Sequence, residues 1–214
     1  MAADFPLKYG PWTINASTPI YQDPWLSVRK DDVTRPDGEP GTYSVVEIKH
    51  GVCVLAWQGD QVYLTSEFHY AVGRTTLEAV SGGVDEGESQ LMAAKRELKE
   101  ELGITANVWK SLMTADPFTA SVVSPTALFL ATELEFGNRE LEGTEQIQMV
   151  EQTISKAYKD VCEGTISHAP SGLAIMSLWI QQQLGIQQQL PKTCLLYTSP
   201  SPRDQRGSRM PSSA

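Results

Sequence analysis

The most constraining feature of the sequence is a helix-forming segment at residues 89–102, directly before Gly103. Apolar positions at spacings of three and four residues form one stripe of an α-helix, and glycine just after the last turn is typical of a helix C-terminus. The apolar positions are Leu91, Ala94, Leu98 and Leu102. The segment therefore predicts a surface helix whose stripe packs on the core of a globular domain.

Three carboxylates lie on one flank of this predicted helix. Glu97 and Glu101 are one turn apart beside the stripe, and Glu100 is a single residue step further round. Like charges at this spacing oppose each other by about 0.2–0.5 kcal/mol per pair, and no Lys or Arg follows four residues later to compensate. A divalent cation such as Mg²⁺ binds oxygen ligands and would turn the repulsion into a site, with Arg96 placed to hold Glu100. Taken alone, the helix leaves open the alternative of a solvated acidic face.

Strand and turn signals surround the helix and predict a mixed sheet. β-branched runs stand on both sides of a Gly59-Asp60 turn, a buried strand follows the acidic helix, and an amphipathic helix ends the patterned part of the chain. The predicted strands occupy residues 42–48, 52–57, 62–65 and 126–131, and the last helix occupies residues 171–184. Its expected core stripe consists of Leu173, Met176, Ile180 and Leu184.

The acidic composition disfavours several classes of function. The 214 residues include 26 Asp and Glu against 17 Lys and Arg, a net charge of −9. This balance repels a phosphate backbone and an anionic bilayer, so we expect no nucleic acid and no membrane as partners. The sequence has no apolar run of about 18 residues, and its cysteines, Cys53, Cys162 and Cys194, are too scattered for a disulfide framework or a zinc site. We therefore expect a cytoplasmic protein.

Residues 194–214 have neither a helical nor a strand period, and Pro and Ser recur through them. The string resembles the in-frame translation of a transposase-type sequencing adapter. We expect this tail to be disordered and to contribute nothing to folding. Residues 188–193, just before it, predict a short polar extension.

A longer pattern contains the acidic helix and the loop before it. Gly82 is followed after five residues by Glu88, and after seven more by residues 96–104, Arg-Glu-Leu-Lys-Glu-Glu-Leu-Gly-Ile. This spacing matches every fixed position of the Nudix box, so the chain resembles the Nudix hydrolases, which cleave a nucleoside diphosphate linked to another group. The resemblance implies an α/β fold, an α/β/α sandwich with a mixed sheet, over residues 48–187. An N-terminal β segment would occupy residues 1–47.

The resemblance also implies roles for individual residues. Glu97 and Glu101 are expected to bind Mg²⁺ or Mn²⁺, together with Ser81 through its backbone carbonyl. Glu100 is expected to act as a further ligand or support, held by Arg96. A base must reach the attacking water, and Glu145, in an acidic loop at residues 140–145, is expected to be that base or an additional metal ligand.

Segments before the box resemble one branch of the family, the ADP-ribose and nucleotide-sugar pyrophosphatases. Residues 67–70 and 77–83 carry this likeness and imply that His69, Arg74 and Glu78 contact the substrate. The chain departs from the branch at three residues, since Glu67 replaces Gln, His69 replaces Arg and Val80 replaces Pro. These departures bear on the identity of the substrate and not on hydrolysis. Trp25, in the N-terminal β segment, is expected either to stack on a base or to pack in a homodimer interface.

Two functions follow from these patterns. The first is metal-dependent hydrolysis of the diphosphate bond in a small nucleoside diphosphate derivative, ADP-ribose or a nucleotide sugar. The alternative is a catalytically inactive Nudix-fold module that binds nucleotides or regulates a partner. The clustered charges at Arg96, Glu97, Glu100 and Glu101 favour the enzyme, since a binding module has no need of them.

Overall fold

The computed structural model describes residues 5–139 and 146–185. The acidic loop with Glu145, the polar extension and the tail at residues 194–214 lie outside these residues. Twelve strands and three helices form the described part. The strands are β1 (Leu7–Tyr9), β2 (Trp12–Gln22), β3 (Leu26–Thr34), β4 (Pro40–Ile48), β5 (Gly51–Gln58), β6 (Gln61–His69), β7 (Arg74–Glu78), β8 (Val80–Gly83), β9 (Ile104–Ala115), β10 (Val122–Val123), β11 (Thr126–Phe136) and β12 (Gln148–Thr153). The helices are α1 (Gln90–Leu102), α2 (Ile154–Cys162) and α3 (Ala169–Gln183).

The strands form two sheets. The N-terminal sheet has the order β1-β2-β3-β4-β10, and the larger sheet has the order β12-β6-β5-β11-β9. β11 runs parallel to β5 and antiparallel to β9, so the larger sheet is mixed, as the sequence predicts. β7 pairs with β6 and β8 pairs with β5, so the segment before the acidic helix lies where β5 and β6 diverge.

Apolar side chains cover both faces of the larger sheet. On one face, Ala93, Ala94, Leu98 and Leu102 of α1 pack with buried residues of β5 and β11. On the other face, α2 and α3 pack against the opposite side chains of the same strands. Because helices cover both faces, the expected α/β/α sandwich is confirmed. Among the described residues, no helix is both long and apolar enough to cross a lipid bilayer.

The acidic helix begins and ends where its sequence predicts. Ser89 caps α1, its side chain accepting a hydrogen bond from the Met92 backbone N–H. Gly103 ends the helix in the left-handed conformation with φ at 66°, and its N–H donates to the carbonyls of Leu98 and Lys99. The chain then enters β9 directly, which fixes α1 beside the centre of the larger sheet.

The buried side of α3 differs from the predicted one. The expected stripe faces outward, with exposed fractions of 41% at Leu173, 37% at Met176, 48% at Ile180 and 67% at Leu184. The buried side consists of Ser171, Gly172, Ala174, Ile175 and Leu178. Apolar residues occur on both sides of this helix, so spacing alone did not select the face. Its small residues allow the closer approach, since a Cβ on Gly172 would lie 3.4 Å from the Val161 side chain.

Replacing Gly103 with alanine should destabilise the fold by about 2 kcal/mol or more, because two costs add. The left-handed conformation costs an L-residue about 1–2 kcal/mol, and the new Cβ would lie 2.6 Å from the Gly137 carbonyl oxygen. Gly59→Ala is the matched control, since Gly59 has the same φ of 66° and nothing within 4 Å of the added Cβ. Urea denaturation measures both losses, and equal losses would contradict the predicted steric cost.

Candidate active site

Arg96 is the centre of the acidic cluster on α1. Its guanidinium donates to both carboxylate oxygens of Glu88, with Nε 3.2 Å from Oε1 and Nη2 3.0 Å from Oε2. Nη1 donates to Glu97 Oε1 at 2.8 Å and to Glu100 Oε2 at 3.1 Å. Nη2 also donates to the Gly83 carbonyl oxygen at 2.9 Å. One planar cation therefore joins the loop before α1 to two carboxylates of the helix.

These contacts keep the cluster charged. The hydrogen bond to Glu88 is the main reason that the pKa of Arg96 is raised, with the Glu97 carboxylate acting in the same direction. The same bond to Arg96 lowers the pKa of Glu88. The pKa of Asp85 is lowered first by its bond to Lys49 and then by Arg96. In this cluster the carboxylates of Asp85, Glu88, Glu97 and Glu100 outnumber the cations of Lys49 and Arg96.

Glu97 occupies a position that only a glycine at residue 82 permits. A Cβ built on Gly82 would lie 2.0 Å from both Cδ and Oε1 of Glu97 and 2.6 Å from Oε2. The Glu97 carboxylate thus lies directly against the backbone that follows Ser81. The glycine is needed here for close approach and not for a special backbone angle. Two of the predicted metal-site residues are thus neighbours in space, because Glu97 contacts Gly82, the residue that follows Ser81.

Glu101 lies deeper than the other two predicted carboxylates. It is 7% exposed, and its charge acts on the thiol of Cys53, as does that of Glu78. Burial raises the pKa of Cys53 to about 12, so this thiol stays protonated. The side chains of Ser81 and Ser171 oppose part of this shift, and Cys53 pairs with Ser81 in the sheet. The charge of Glu101 therefore acts on the β5–β8 pair that carries Ser81.

The donor set fits a hard divalent cation. Glu97, Glu100 and Glu101 offer carboxylate oxygens on one flank of α1, and Glu97 contacts the backbone at Gly82. Among residues 5–139 and 146–185, however, no three His, Cys, Asp or Glu side chains already converge as a cluster that would hold an ion. Arg96 engages one oxygen each of Glu97 and Glu100, so binding would use their other oxygens or turn the side chains. Glu145 falls outside the described residues.

A second polar cluster surrounds Glu78, on the strand that leads to this site. Glu78 Oε1 accepts from Thr76 Oγ1 at 2.6 Å and lies 3.4 Å from His69 Nε2, while Oε2 lies 3.1 Å from His168 Nδ1. Arg74 pairs with His69 across β6 and β7, and its Nη2 donates to Ser167 Oγ at 2.9 Å. The structure thus brings the predicted residues His69, Arg74 and Glu78 together. Arg74 adds a cation to this cluster.

His168 and Ser171 were not found by the sequence analysis. Burial lowers the pKa of His168; the Glu78 carboxylate opposes this shift, and His69 adds to it. Both residues belong to the start of α3, about ninety positions from Glu78. No local spacing links them to the acidic helix. Glu88, by contrast, occupies a fixed position of the box, and that position was the available signal for its contact with Arg96.

Trp25 lies in an open groove at the edge of the N-terminal sheet. Its side chain is 70% exposed, and the groove is also lined by Lys49, His50 and Val123. The Trp25 carbonyl accepts the Lys49 N–H at 3.1 Å, and the Lys49 ammonium pairs with Asp85 in the loop before α1. Lys49 therefore connects Trp25, whose indole is exposed, to Asp85 of the acidic cluster.

Two family models match the chain. The model described as NUDIX domain matches residues 48–157. The model described as nucleoside diphosphate sugar hydrolase N-terminal domain matches residues 12–46. The first covers the larger sheet and the acidic helix, and the second covers most of the N-terminal sheet.

Two of the proteins with similar sequence are ADP-ribose pyrophosphatases. The chain is 28% identical over 178 residues to the ADP-ribose pyrophosphatase of Bacillus subtilis (strain 168), which covers 80% of this chain and 95% of that protein. It is 29% identical over 158 residues to the ADP-ribose pyrophosphatase of Mycobacterium tuberculosis (strain ATCC 25618 / H37Rv), covering 72% and 76%. The crystal structure of an ADP compounds hydrolase superposes with a TM-score of 0.71 at 23% identity, covering 80% of this chain and 95% of that one.

Proposed function

Since the chain belongs to the NUDIX family and is a pyrophosphohydrolase of nucleoside diphosphate derivatives, we propose that its substrate is ADP-ribose or a nucleotide sugar. Members of this family generally use divalent metal ions, and we propose Mg²⁺ or Mn²⁺ as the ion here. The proposed ligands are Glu97, Glu101 and the Ser81 carbonyl. Glu100 completes the acidic flank, and Glu145 is proposed as the base or a further ligand.

One observation carries the proposal: the Glu97 carboxylate lies against the Gly82 backbone, in space that any Cβ would fill. A carboxylate packed this closely on a peptide has little freedom to turn, and Arg96 holds its Oε1. A merely solvated acidic face needs neither the glycine nor the arginine. The arrangement therefore supports an oriented metal ligand.

The chain's own residues supply orientation and charge for the reaction. A divalent cation bound here would neutralise diphosphate oxygens and polarise a water for in-line attack at phosphorus. Arg96 donates a hydrogen bond to one oxygen each of Glu97 and Glu100 and so orients both carboxylates along one side of α1. A carboxylate within hydrogen-bond reach of the water accepts its proton, and Glu145 is the proposed acceptor.

The two ends of the substrate have different proposed contacts. Trp25 offers an exposed indole face on which a base can stack, close to the loop before α1. His69 and Arg74 offer hydrogen-bond donors for phosphate or sugar oxygens, and Glu78 holds His69 in place. Because the branch usually has Arg where His69 stands, the donor in this chain is shorter and offers a ring N–H in place of the guanidinium fork.

The function is tested with the purified chain, saturating Mg²⁺ or Mn²⁺ and a panel of ADP-ribose, nucleotide sugars and dinucleoside diphosphates. We expect at least one compound to be cleaved at its diphosphate, ADP-ribose yielding AMP and ribose 5-phosphate. Chelation with EDTA should abolish cleavage. Tight binding of a panel compound without cleavage under either metal would contradict hydrolysis and favour the binding module.

We also propose that the protein is a homodimer formed through its N-terminal sheet. This sheet exposes large apolar side chains, with exposed fractions of 65% at Tyr9, 60% at Ile20 and 54% at Tyr21. Sedimentation velocity at micromolar concentration should give twice the chain mass, and Ile20→Glu should weaken the association. Leu173→Glu on α3, which is 41% exposed, is the matched control and should leave the mass unchanged. A wild-type monomer would contradict the proposal.

A further inference from the structure

The segment that carries Ser81 and Gly82 lies between β5 and β6 where these two strands diverge, and we call this gap in the larger sheet the fork. Glu78, the last residue of β7, pairs with Thr65 of β6. Val80, the first residue of β8, pairs with Val54 of β5. Ala79 is therefore the single residue at which pairing switches from one strand to the other. Its backbone groups need partners from elsewhere, because a buried peptide cannot be left without hydrogen bonds.

Two serines supply those partners from opposite sides. The Ala79 N–H donates to Ser171 Oγ at 2.8 Å, and the Ala79 carbonyl accepts from Ser81 Oγ at 2.9 Å. Ser171 lies in the first turn of α3 and is 0% exposed. The bond to Ala79 therefore joins a helix on one face of the sheet to the segment that faces α1 on the other.

Ser171 is itself held in place by the cluster around Glu78. His168 Nδ1 lies 2.8 Å from Ser171 Oγ and 3.1 Å from Glu78 Oε2. An ionised carboxylate only accepts hydrogen bonds, so the proton on Nδ1 is directed toward Glu78 and is shared with Ser171. Residues at the start of α3 thus contact both Glu78 and Ala79.

The next residues have almost no positional freedom. Gly82 lies three positions after Ala79, and its backbone lies directly against the Glu97 carboxylate. A Cβ at residue 82 would fall 2.0 Å from Cδ of Glu97. A shift of a few tenths of an ångström in this segment would move the Ser81 carbonyl and displace Glu97. Reactions that depend on placed ligands are sensitive to displacements of this size.

We propose that Ser171 is a positioning residue for the active site, which sets the Ser81–Gly82 backbone against Glu97 by binding the Ala79 N–H. This inference rests on the proposed function, since it concerns the same metal-binding segment. A solely structural role would make Ser171 one buried hydrogen bond among many. Its loss would then lower the stability of the fold without altering the properties of the folded enzyme.

The test compares Ser171→Ala with two controls on α3. Ile175→Val shortens a fully buried side chain and lowers stability without removing a hydrogen bond at the fork. Ser177→Ala removes a hydroxyl that accepts a hydrogen bond from the Gln181 side chain. Three quantities are measured well below the melting temperature: exchange of the Ala79 amide by NMR, the Kd for Mn²⁺ without substrate by electron paramagnetic resonance, and kcat and KM on the best substrate.

For Ser171→Ala we expect faster exchange at Ala79, a Kd for Mn²⁺ raised about tenfold and a kcat lowered about tenfold, with KM nearly unchanged. Both controls should match wild type in the Kd and in kcat. Ser171→Thr, which keeps the hydroxyl, should retain most of the wild-type affinity for Mn²⁺ and most of the wild-type kcat. If Ser171→Ala does not fold, Ser81→Ala removes the other side-chain hydrogen bond to Ala79 while keeping the Ser81 carbonyl, and the same changes are expected.

Ser171→Ala with wild-type Kd and kcat would overturn the inference and leave the proposed function standing. A change no larger than that of Ile175→Val would do the same. A wild-type chain that binds Mn²⁺ but cleaves no compound would instead contradict the proposed function, while the Mn²⁺ comparison would still decide the role of Ser171. A wild-type chain that binds no Mn²⁺ would overturn both.

Discussion

Glu101→Gln should reduce metal-dependent turnover by about a hundredfold or more, since even residues that only support metal ligands contribute about 10–100-fold. Glutamine keeps the size and helix propensity of glutamate but removes a full negative charge from a side chain that is 7% exposed. The charge matters because the site must concentrate cations next to a substrate that is itself anionic. Steady-state turnover of the best panel compound at saturating Mg²⁺ measures the loss.

The fold of this variant should be intact. Glu97 and Glu101 are like charges one turn apart, so removing one relieves a repulsion of about 0.2–0.5 kcal/mol in the metal-free protein. Glu86→Gln is the matched control, because Glu86 is an exposed carboxylate in the loop before α1. It should keep wild-type turnover. Wild-type turnover by Glu101→Gln as well would mean that Glu101 is not a metal ligand.

Gly82→Ala should lose turnover to a similar extent, about a hundredfold, by a steric route. The added Cβ would lie 2.0 Å from Cδ and Oε1 of Glu97, so the carboxylate must leave its position and break its contact with Arg96. The Kd for Mn²⁺ should rise together with the fall in kcat. Circular dichroism checks that the variant is folded.

The neighbouring glycine provides the control for this prediction. A Cβ on Gly83 would meet only the Lys49 side chain, whose Cδ lies 3.0 Å away and can move. Gly83→Ala should therefore keep most of the wild-type turnover and Mn²⁺ affinity. Equal losses in the two variants would show that the whole loop is sensitive to side chains, and would contradict the specific conflict with Glu97.

Substrate binding at Trp25 is expected to depend on dimer formation. Trp25 lies in a groove on this sheet, and the sheet is also the proposed dimer interface. If the dimer forms, the partner chain would lie near the groove and limit which base can enter it. Variants that weaken association are therefore expected to raise KM more than they lower kcat.

Local patterns in the sequence were sufficient for much of the fold. The bounds of α1, the hairpin at Gly59 and the buried strand β11 follow from side-chain period, caps and turn residues, each of which acts over a few residues. The mixed sheet followed from the strand and turn signals, and the α/β/α sandwich followed from the box resemblance. The buried face of α3 did not follow, because that helix is apolar on two sides and the contact with α2 selected the face.

The sequence by itself determined the chemistry of the candidate site, since the spacing of Arg96, Glu97, Glu100 and Glu101 on one helix places them together in any fold that keeps the helix. The tertiary structure alone decided what surrounds them. Ser171 and His168 meet Ala79 and Glu78 only because α3 packs under the fork between β5 and β6, a contact between segments about ninety residues apart. Such contacts leave no periodic trace, because they depend on how the sheet diverges and on which helix face is buried.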